Sequence, residues 1–575
     1  MPPMPPTVAR FRRPVAVNYT DDDPLFSNTG FAPIPPQAFP AWMCEIATSR
    51  IGKDGEKMSP DKVMIQQCGS FYEKQMKDPR QTEDCLFLDV FVPKRVFEKE
   101  ACPGTGTTLA PVVVTFGSHP FIYGHKDEAS NGINWAALTR HAPWSHACAS
   151  DFPISVSINY RLGLFGWFSD DPESVNAGLW DQRLALEWVQ AHIEKFGGDP
   201  NRVTLVGQGA GAASIMHHVT AFGGKANPNP SPYNPQGTTP FSRAILISPE
   251  WLFTPNMFLT QEKVLLEATK IMMRAYTYPG KLHRLDPATL MKINREVVKL
   301  APPLLTMFGP VVGGDFVPDH PGVLLRDGKF NRSLSLVVGH AVNDGITYVP
   351  IAASKEEMDS YLPTILHGYS NETLDVIRRE LYSDRVRGDL ISLTSTKGQT
   401  RLPLQNVPGL RRASTEYLSA IRMMGEIMAG CNARSLAHAL PNSTYVYDSP
   451  IFLQGSLRNL YLDDADSFRP ILHPFLQIRL RFLSFIHNGI PNILAANTER
   501  WPNYGSKSVV WEPRLSNMTE GLTLKRDDFD NGRCEWWTRE GYETLQAGGG
   551  GEWLKRLRYD FDRLGGGQIS GGRSQ

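Results

Sequence analysis

Residues 199–213 read DPNRVTLVGQGAGAA: a buried-type strand runs into Gly207-Gln208-Gly209-Ala210-Gly211, and a helix is expected to begin near Ala212. A strand that turns sharply into a helix over G-x-x-x-G presents its middle side chain, ordinarily a serine, as a nucleophile for acyl transfer. Here the middle position is Gly209, which has no side chain and cannot form an acyl-enzyme. Ser214 lies five residues on, inside the expected helix and off the apex of the turn, so it is a poor substitute. A dinucleotide loop is the other chemistry such glycines suggest. That fingerprint needs G-x-G-x-x-G and a carboxylate about 20 residues on. Position 212 is Ala, and the following stretch holds His217, His218 and Lys225 but no carboxylate.

No Cys/His spacing points to a metal site, and His217-His218 read as packing and surface residues rather than ligands. No cofactor and no metal are expected. Seven cysteines, at 44, 68, 85, 102, 148, 431 and 534, leave at least one thiol unpaired or in an intermolecular bond. Seven reduced thiols in a cytosolic chain are the alternative, because residues 1–18 lack the apolar core of a signal peptide. Sequons stand at Asn18, Asn331, Asn371, Asn442 and Asn517, and matter only if the chain is exported.

The chain has 575 residues, and its 59 basic and 59 acidic side chains cancel, so no bulk field draws it to nucleic acid or an anionic membrane. Hydrophobic residues at 41% and charged residues at 21% describe a folding, globular chain. No apolar run reaches the roughly 18 to 20 residues that span a bilayer. The partners expected are therefore neither nucleic acid nor a membrane, and the oligomeric state is open.

Short β-branched runs must position the turn: 111–116, 154–160, 203–206, 241–248, 333–339 and 443–448. Helical stretches separate them, most clearly 177–196, where Leu184, Trp188, Val189, Ile193 and Phe196 recur at three- to five-residue steps before Gly197-Gly198. Alternating strands and helices imply an α/β fold with a mainly parallel central sheet covered on both faces. Segments such as 223–239, rich in Pro, Gly and Asn, read as large loop insertions on the surface.

The stretches SINYRLGLFGWF (157–168) and NAGLWDQRLALEWVQAHIEKFGGDPNRVTLVG (176–207) closely resemble type B carboxylesterases, the α/β-hydrolase family that includes cholinesterases and neuroligins, and most nearly its fungal branch. PPTVARFRRPVAV (5–17), EDCLFLDVFVP (83–93), FGPVVGGDFVPDHP (308–321), FIHNGIPN (485–492), WPNY (501–504) and CEWW (534–537) resemble further blocks of that family. The resemblance implies an α/β-hydrolase domain over 19–545, a truncated family N-terminus over 1–18, and a Gly-rich tail over 546–575. It also implies which positions should carry acyl transfer. Gly209 replaces the nucleophile, Asp344 stands at the acid position, and Tyr461 falls where the base His belongs, with His473 downstream as a competitor. The oxyanion positions are Ser118, His119, Pro120 and Ala210; Pro120 has no N–H to donate, and His119 adds a Cβ where close backbone approach is wanted. Where cholinesterases place their choline-binding Trp, this chain has Gln75 and Met76. The resemblance further implies disulfides Cys68–Cys85 and Cys431–Cys534. It implies a secreted protein if the N-terminus is truncated, and a cytoplasmic one otherwise.

Four functions follow for weighing. The favoured one is a catalytically silent relative that binds a small hydrophobic or ester-like ligand. The second is a non-hydrolytic enzyme of a biosynthetic pathway that uses the inherited pocket, with His119, Tyr461 and Asp344 as proton carriers. The third is an active carboxylic ester hydrolase, and the fourth, an adhesion module, ranks last.

Overall fold

The computed structural model describes residues 10–17, 32–48, 50–51, 57–58, 62–99, 109–117, 120–127, 135–139, 149–169, 172–251, 279–299, 301, 306–341, 344–349, 356, 359, 362–363, 366, 369–382, 415–449, 469–492, 500–505, 509–513, 522–527 and 532–542. A two-stranded pair, β1 (Arg50–Ile51) and β2 (Lys57–Met58), stands apart. Nine strands form the central sheet: β3 (Leu88–Phe91), β4 (Ala110–Phe116), β5 (Ile154–Ile158), β6 (Gly198–Gln208), β7 (Arg243–Ile247), β8 (Ser335–Ala341), β9 (Thr444–Ser449), β10 (Val509–Pro513) and β11 (Leu522–Arg526). Their order is β11-β10-β9-β8-β7-β6-β4-β5-β3. Every pair from β10 to β5 is parallel, and only the edge strands β3 and β11 run antiparallel to their neighbours.

The six runs expected as strands all lie in this sheet. Their near-continuous aliphatic character follows from burial on both faces. Along β4, Val112 and Val114 join one core while Val113 joins another, because successive side chains point to opposite faces. The first core is covered by α1 (Ala177–His192), α2 (Ala210–Val219), α3 (Pro321–Arg326) and α4 (Cys431–Ala439), through Leu186, Val189, Ile215, Met216, Leu325 and Leu436. The second is covered by α5 (Arg469–Asn488), through Phe482, Phe485 and Ile486. Burying the three β4 valines contributes about 1.5 to 3 kcal/mol each.

The long helix ends sooner than its periodicity suggests: residues Ile193–Phe196 tighten into a 3-10 turn, and Gly197, at φ 83°, closes it. An αL glycine of this kind satisfies the last carbonyls of a helix. The chain begins α2 at Ala210 rather than Ala212, so the turn before it is tighter than expected.

The strand order reverses between β4 and β6. Connections from the two lead away in opposite directions, which opens a crevice at their C-terminal ends. The segments after β4, β6, β7 and β8 converge there.

Candidate functional site

Gly209 is the single residue between β6 and α2, with φ 56° and ψ −123°. Few side-chain-bearing residues adopt this region without strain. Its N–H donates to Ile247 O at 3.0 Å, and its carbonyl accepts from Ala213 N at 2.9 Å and Glu250 N at 3.3 Å. The glycines on either side have a packing role. A Cβ on Gly207 would lie 2.5 Å from the Gly211 carbonyl carbon, and one on Gly211 would lie 2.6 Å from the Gly117 carbonyl oxygen. The turn that presents a nucleophile is therefore built, around a residue with no side chain to present.

Ser214 is buried inside α2 and accepts from Gln182 Nε2 at 3.1 Å, away from the apex. His217 and His218 are wholly buried, so the expectation of surface exposure is corrected: α2 is enclosed by α1, Phe316 and Trp251. The His217 ring meets Trp251 edge-on at 4.5 Å, and its Nδ1–H donates to Ala213 O at 2.8 Å. Burial pushes its imidazole down to about 4, so it stays neutral.

Of the oxyanion positions, Ser118 and His119 lie outside the described residues, and Ala210 opens α2. Pro120 is described, and its carbonyl accepts from Ile122 N. Beyond it Gly124, at φ 103°, donates to Gln37 Oε1 at 2.6 Å. This loop and the end of β5 border a narrow cleft, with room for about one water molecule, lined by Gly117, Tyr123, His125, Asn159, Tyr160 and Leu162. Gln75 and Met76 end the helix Lys62–Met76. An aromatic wall nevertheless stands beside the cleft: Phe39 packs between Tyr72 and Tyr123, with ring centroids 4.2 and 4.3 Å away.

Asp344 begins a 3-10 turn just past β8 and is fully buried. Its Oδ2 accepts from Ala341 N at 2.9 Å, and the Ser248 hydroxyl also bonds the carboxyl. Burial, the larger influence, nonetheless pushes it up to about 7. His340 Nδ1 comes within 4.0 Å of Asp344 but donates to Ala341 O at 3.0 Å. Tyr461 lies outside the described residues. His473 lies within α5 rather than in a loop before it.

Sequence reasoning missed Glu250, Ser248 and Tyr348. Glu250 is buried, and the Tyr348 hydroxyl donates to its Oε2 at 2.6 Å. Burial first, and the Asp344 charge second, push Glu250 up to about 8. The sequence signal was a carboxylate three residues past a buried strand, at the end where the crevice opens. Helix α4 (Cys431–Ala439) holds this segment in place: Asn432 Nδ2 donates to Pro249 O at 2.9 Å and Trp251 O at 3.2 Å.

One disulfide is as expected and one is not. Cys431–Cys534 joins α4 to α6 (Arg533–Thr538). Cys68 bonds Cys44, not Cys85. Cys85 is a free, buried thiol, and burial raises it far above the ordinary range, so it stays protonated. The helix Ala41–Thr48 brings Cys44 to within 5.8 Å (Cα to Cα) of Cys68. Nothing in the spacing distinguished this partner from Cys85.

Among the described residues no group of three metal-ligating side chains occurs, and no helix is long and apolar enough to cross a membrane. The sequence pattern of the carboxylesterase family matches residues 50–452. "Carboxylesterase patB" of Aspergillus clavatus is 29% identical over 482 residues, covering 81% of this chain and 77% of that protein. A "Secreted lipase" of Arthroderma benhamiae is 27% identical, covering 83% of this chain and 86% of its own. Among solved structures, EstA of Aspergillus niger superposes with a TM-score of 0.61 at 21% identity, over 93% of this chain and 92% of that one.

Proposed function

Because this chain belongs to the carboxylesterase family, we propose that it keeps the family's binding crevice but carries out no serine-dependent ester hydrolysis. Acyl transfer in this fold needs a nucleophilic oxygen at the apex of the turn. The observation that carries the reading is Gly209, held at φ 56° and ψ −123° with no side chain. Removing a triad nucleophile costs roughly 10⁶ in rate. Pro120, with no N–H, removes a donor from the oxyanion positions, and losing one such donor costs about 2.7 to 4 kcal/mol of transition-state stabilisation.

The ligand class is small and hydrophobic or ester-like. It would enter the crevice at the C-terminal ends of β4 and β6, on the side of the aromatic wall of Phe39, Tyr72 and Tyr123. Likeness to a secreted lipase supports an extracellular setting. So does the sequon at Asn442, which is exposed on the turn before β9.

The test is direct. Purified protein is incubated with a fluorophosphonate probe and, separately, with p-nitrophenyl butyrate. The expected result is no covalent adduct and no turnover, with the butyrate ester raising the melting temperature as an intact ligand. A fluorophosphonate adduct on any hydroxyl overturns the proposal.

A further inference from the structure

Residues 415–439 run as one helix with a wide turn in its middle. Thr415–Gly425 and α4 are α-helical, while Glu426–Gly430 between them is a π-turn, closed by the Cys431 N–H donating to Glu426 O. Such a turn takes up one residue more than the α-register, and single wide turns of this kind concentrate at functional sites. Each half of the helix docks one segment of the crevice. Before the bulge it meets the turn after β8, where a Cβ on Gly345 would lie 2.7 Å from Gly425 N. After the bulge, Asn432 Nδ2 donates to Pro249 O at 2.9 Å and Trp251 O at 3.2 Å, in the segment after β7. The bulge itself supplies a third bond: the Met428 carbonyl accepts from Trp251 N at 3.0 Å and from Asn432 Nδ2 at 2.9 Å. Glu250, between Pro249 and Trp251, donates in turn to Gly209 O at 3.3 Å, so the wide turn reaches the nucleophile position through one residue.

The two residues that close the wide turn are the two that the C-terminal segment grips. Glu426 accepts from Arg533 Nε and Nη2 at 2.7 and 2.6 Å, and Cys431 is bonded to the next residue, Cys534, with Cα atoms 4.9 Å apart. In an α-helix, residues five apart lie about 140° apart around the axis, so a straight helix would face one of the two away from α6. The i→i+5 bond brings them to one side. A second wide turn, Ile377–Leu381, ends at Tyr382, whose hydroxyl donates to Glu426 Oε2 at 2.8 Å and accepts from Trp537 Nε1 at 3.3 Å. The same C-terminal segment reaches the Trp251 ring as well: His320 stacks on Trp251 at 5.1 Å and meets the Tyr542 ring, also at 5.1 Å.

We propose that residues 532–542 are a clasp that sets the state of the crevice through this bulge. Docked, the clasp holds Glu426 and Cys431 on one side of the helix, which fixes the wide turn and keeps Pro249–Trp251 against the Gly209 turn. Undocked, the helix falls back to the α-register. The Met428 carbonyl then turns along the axis to the Asn432 N–H, four residues on, and the Trp251 N–H loses its partner. Asn432 rotates with its half of the helix and releases Pro249 O and Trp251 O. Because the helix has two discrete registers, a contact made at α6 acts on the crevice as a switch between states rather than as a graded strain. The device concerns the shape of the crevice and does not depend on whether a serine acts there.

Hydrogen–deuterium exchange of the full-length protein, resolved to single amides by fragmentation in the mass spectrometer, reads Trp251 against Ile215 inside α2. Arg533→Met and Cys534→Ser each undo one grip of the clasp. In both, the exchange rate of Trp251 relative to Ile215 is expected to rise about 10-fold or more. The ratio separates local release from a general loss of stability, which speeds both amides alike. Deleting Ala429 takes the extra residue out of the bulge and should raise the ratio with Arg533 and Cys534 still present. Cys44→Ser, which opens the other disulfide, should leave the ratio at its wild-type value. An unchanged ratio in Arg533→Met and Cys534→Ser, an unchanged ratio in the Ala429 deletion, or an equal rise in Cys44→Ser overturns the clasp. If circular dichroism shows the deletion variant unfolded, the two clasp variants decide.

Discussion

Gly211 stands so close to Gly117 that a Cβ added to it would lie 2.6 Å from the Gly117 carbonyl oxygen, while Gly207 meets Gly211 from the other side at 2.5 Å. Two of the three glycines in the turn are thus required by packing alone, whatever the middle residue does. Gly211→Ala is expected to destabilise the fold by about 1 to 3 kcal/mol, because the backbone it meets cannot move aside as a flexible side chain can. Gly69→Ala serves as a control: a Cβ there meets nothing within 4 Å, on a helix. It should gain about 0.5 to 1 kcal/mol. Urea unfolding of both variants checks the pair, and equal effects would refute the packing argument.

Restoring the hydroxyl should not restore the chemistry. Gly209→Ser places a side chain at φ 56°, with a strain of about 1 to 3 kcal/mol. The variant is expected to unfold at lower denaturant and still fail to turn over p-nitrophenyl butyrate, since the oxyanion positions retain Pro120. Recovery of esterase activity in this single variant would show that the acid–base and oxyanion machinery is intact.

A buried ion cluster ties the C-terminal region to the core. Glu426 accepts from Arg533 at 2.6 and 2.7 Å, from Arg422 at 3.0 Å and from the Tyr382 hydroxyl at 2.8 Å. Burial alone would raise this carboxyl, but the Arg533 bonds and the Arg422 and Arg533 charges outweigh it, and the net shift is downward. The stability it contributes is therefore complete above the ordinary glutamate value of 4.5 and is lost as pH falls through the lowered folded value. Glu426→Gln should cost about 3 to 5 kcal/mol at neutral pH. Its unfolding free energy should also fall less steeply than the wild type's below pH 4.5, which denaturation at stepped pH would reveal.

The neutral histidines set a second, higher window. Burial lowers His217 to about 4 and His320 to about 3, against 6.5 when unfolded. Below 6.5 the unfolded chain binds protons that the folded chain refuses, so stability declines from there down to the folded values. His217→Phe should flatten the stability profile between pH 6.5 and 4, and an unchanged slope would mean that His217 is charged in the folded state.

Disulfide mapping of the native protein should recover a Cys44–Cys68 peptide and no Cys68–Cys85 peptide. Cys85 should resist iodoacetamide until the chain unfolds, because burial keeps it as a thiol. Opening Cys431–Cys534, which spans 103 residues, removes up to about 4.7 kcal/mol on a chain-entropy estimate. It should also loosen Asn432, the neighbour of Cys431, from the Glu250 segment.

The sequence alone determined the sheet. Runs such as PVVVTF and VTLV have no other stable place than a strand covered on both faces, and the helix Ala177–His192 carries its own periodicity and stop. It also fixed the absence of an oxygen at Gly209, since no fold can supply a side chain that the chain lacks. Tertiary structure decided which cysteine reaches Cys68, because sequence spacing says nothing of how the helix Ala41–Thr48 approaches. It likewise brought Glu250 and Asp344 together from positions 94 residues apart. Their proximity exists only because β7 and β8 are neighbours in the sheet. A carboxyl's acidity is set by the water and charges around it, and the linear chain does not state these.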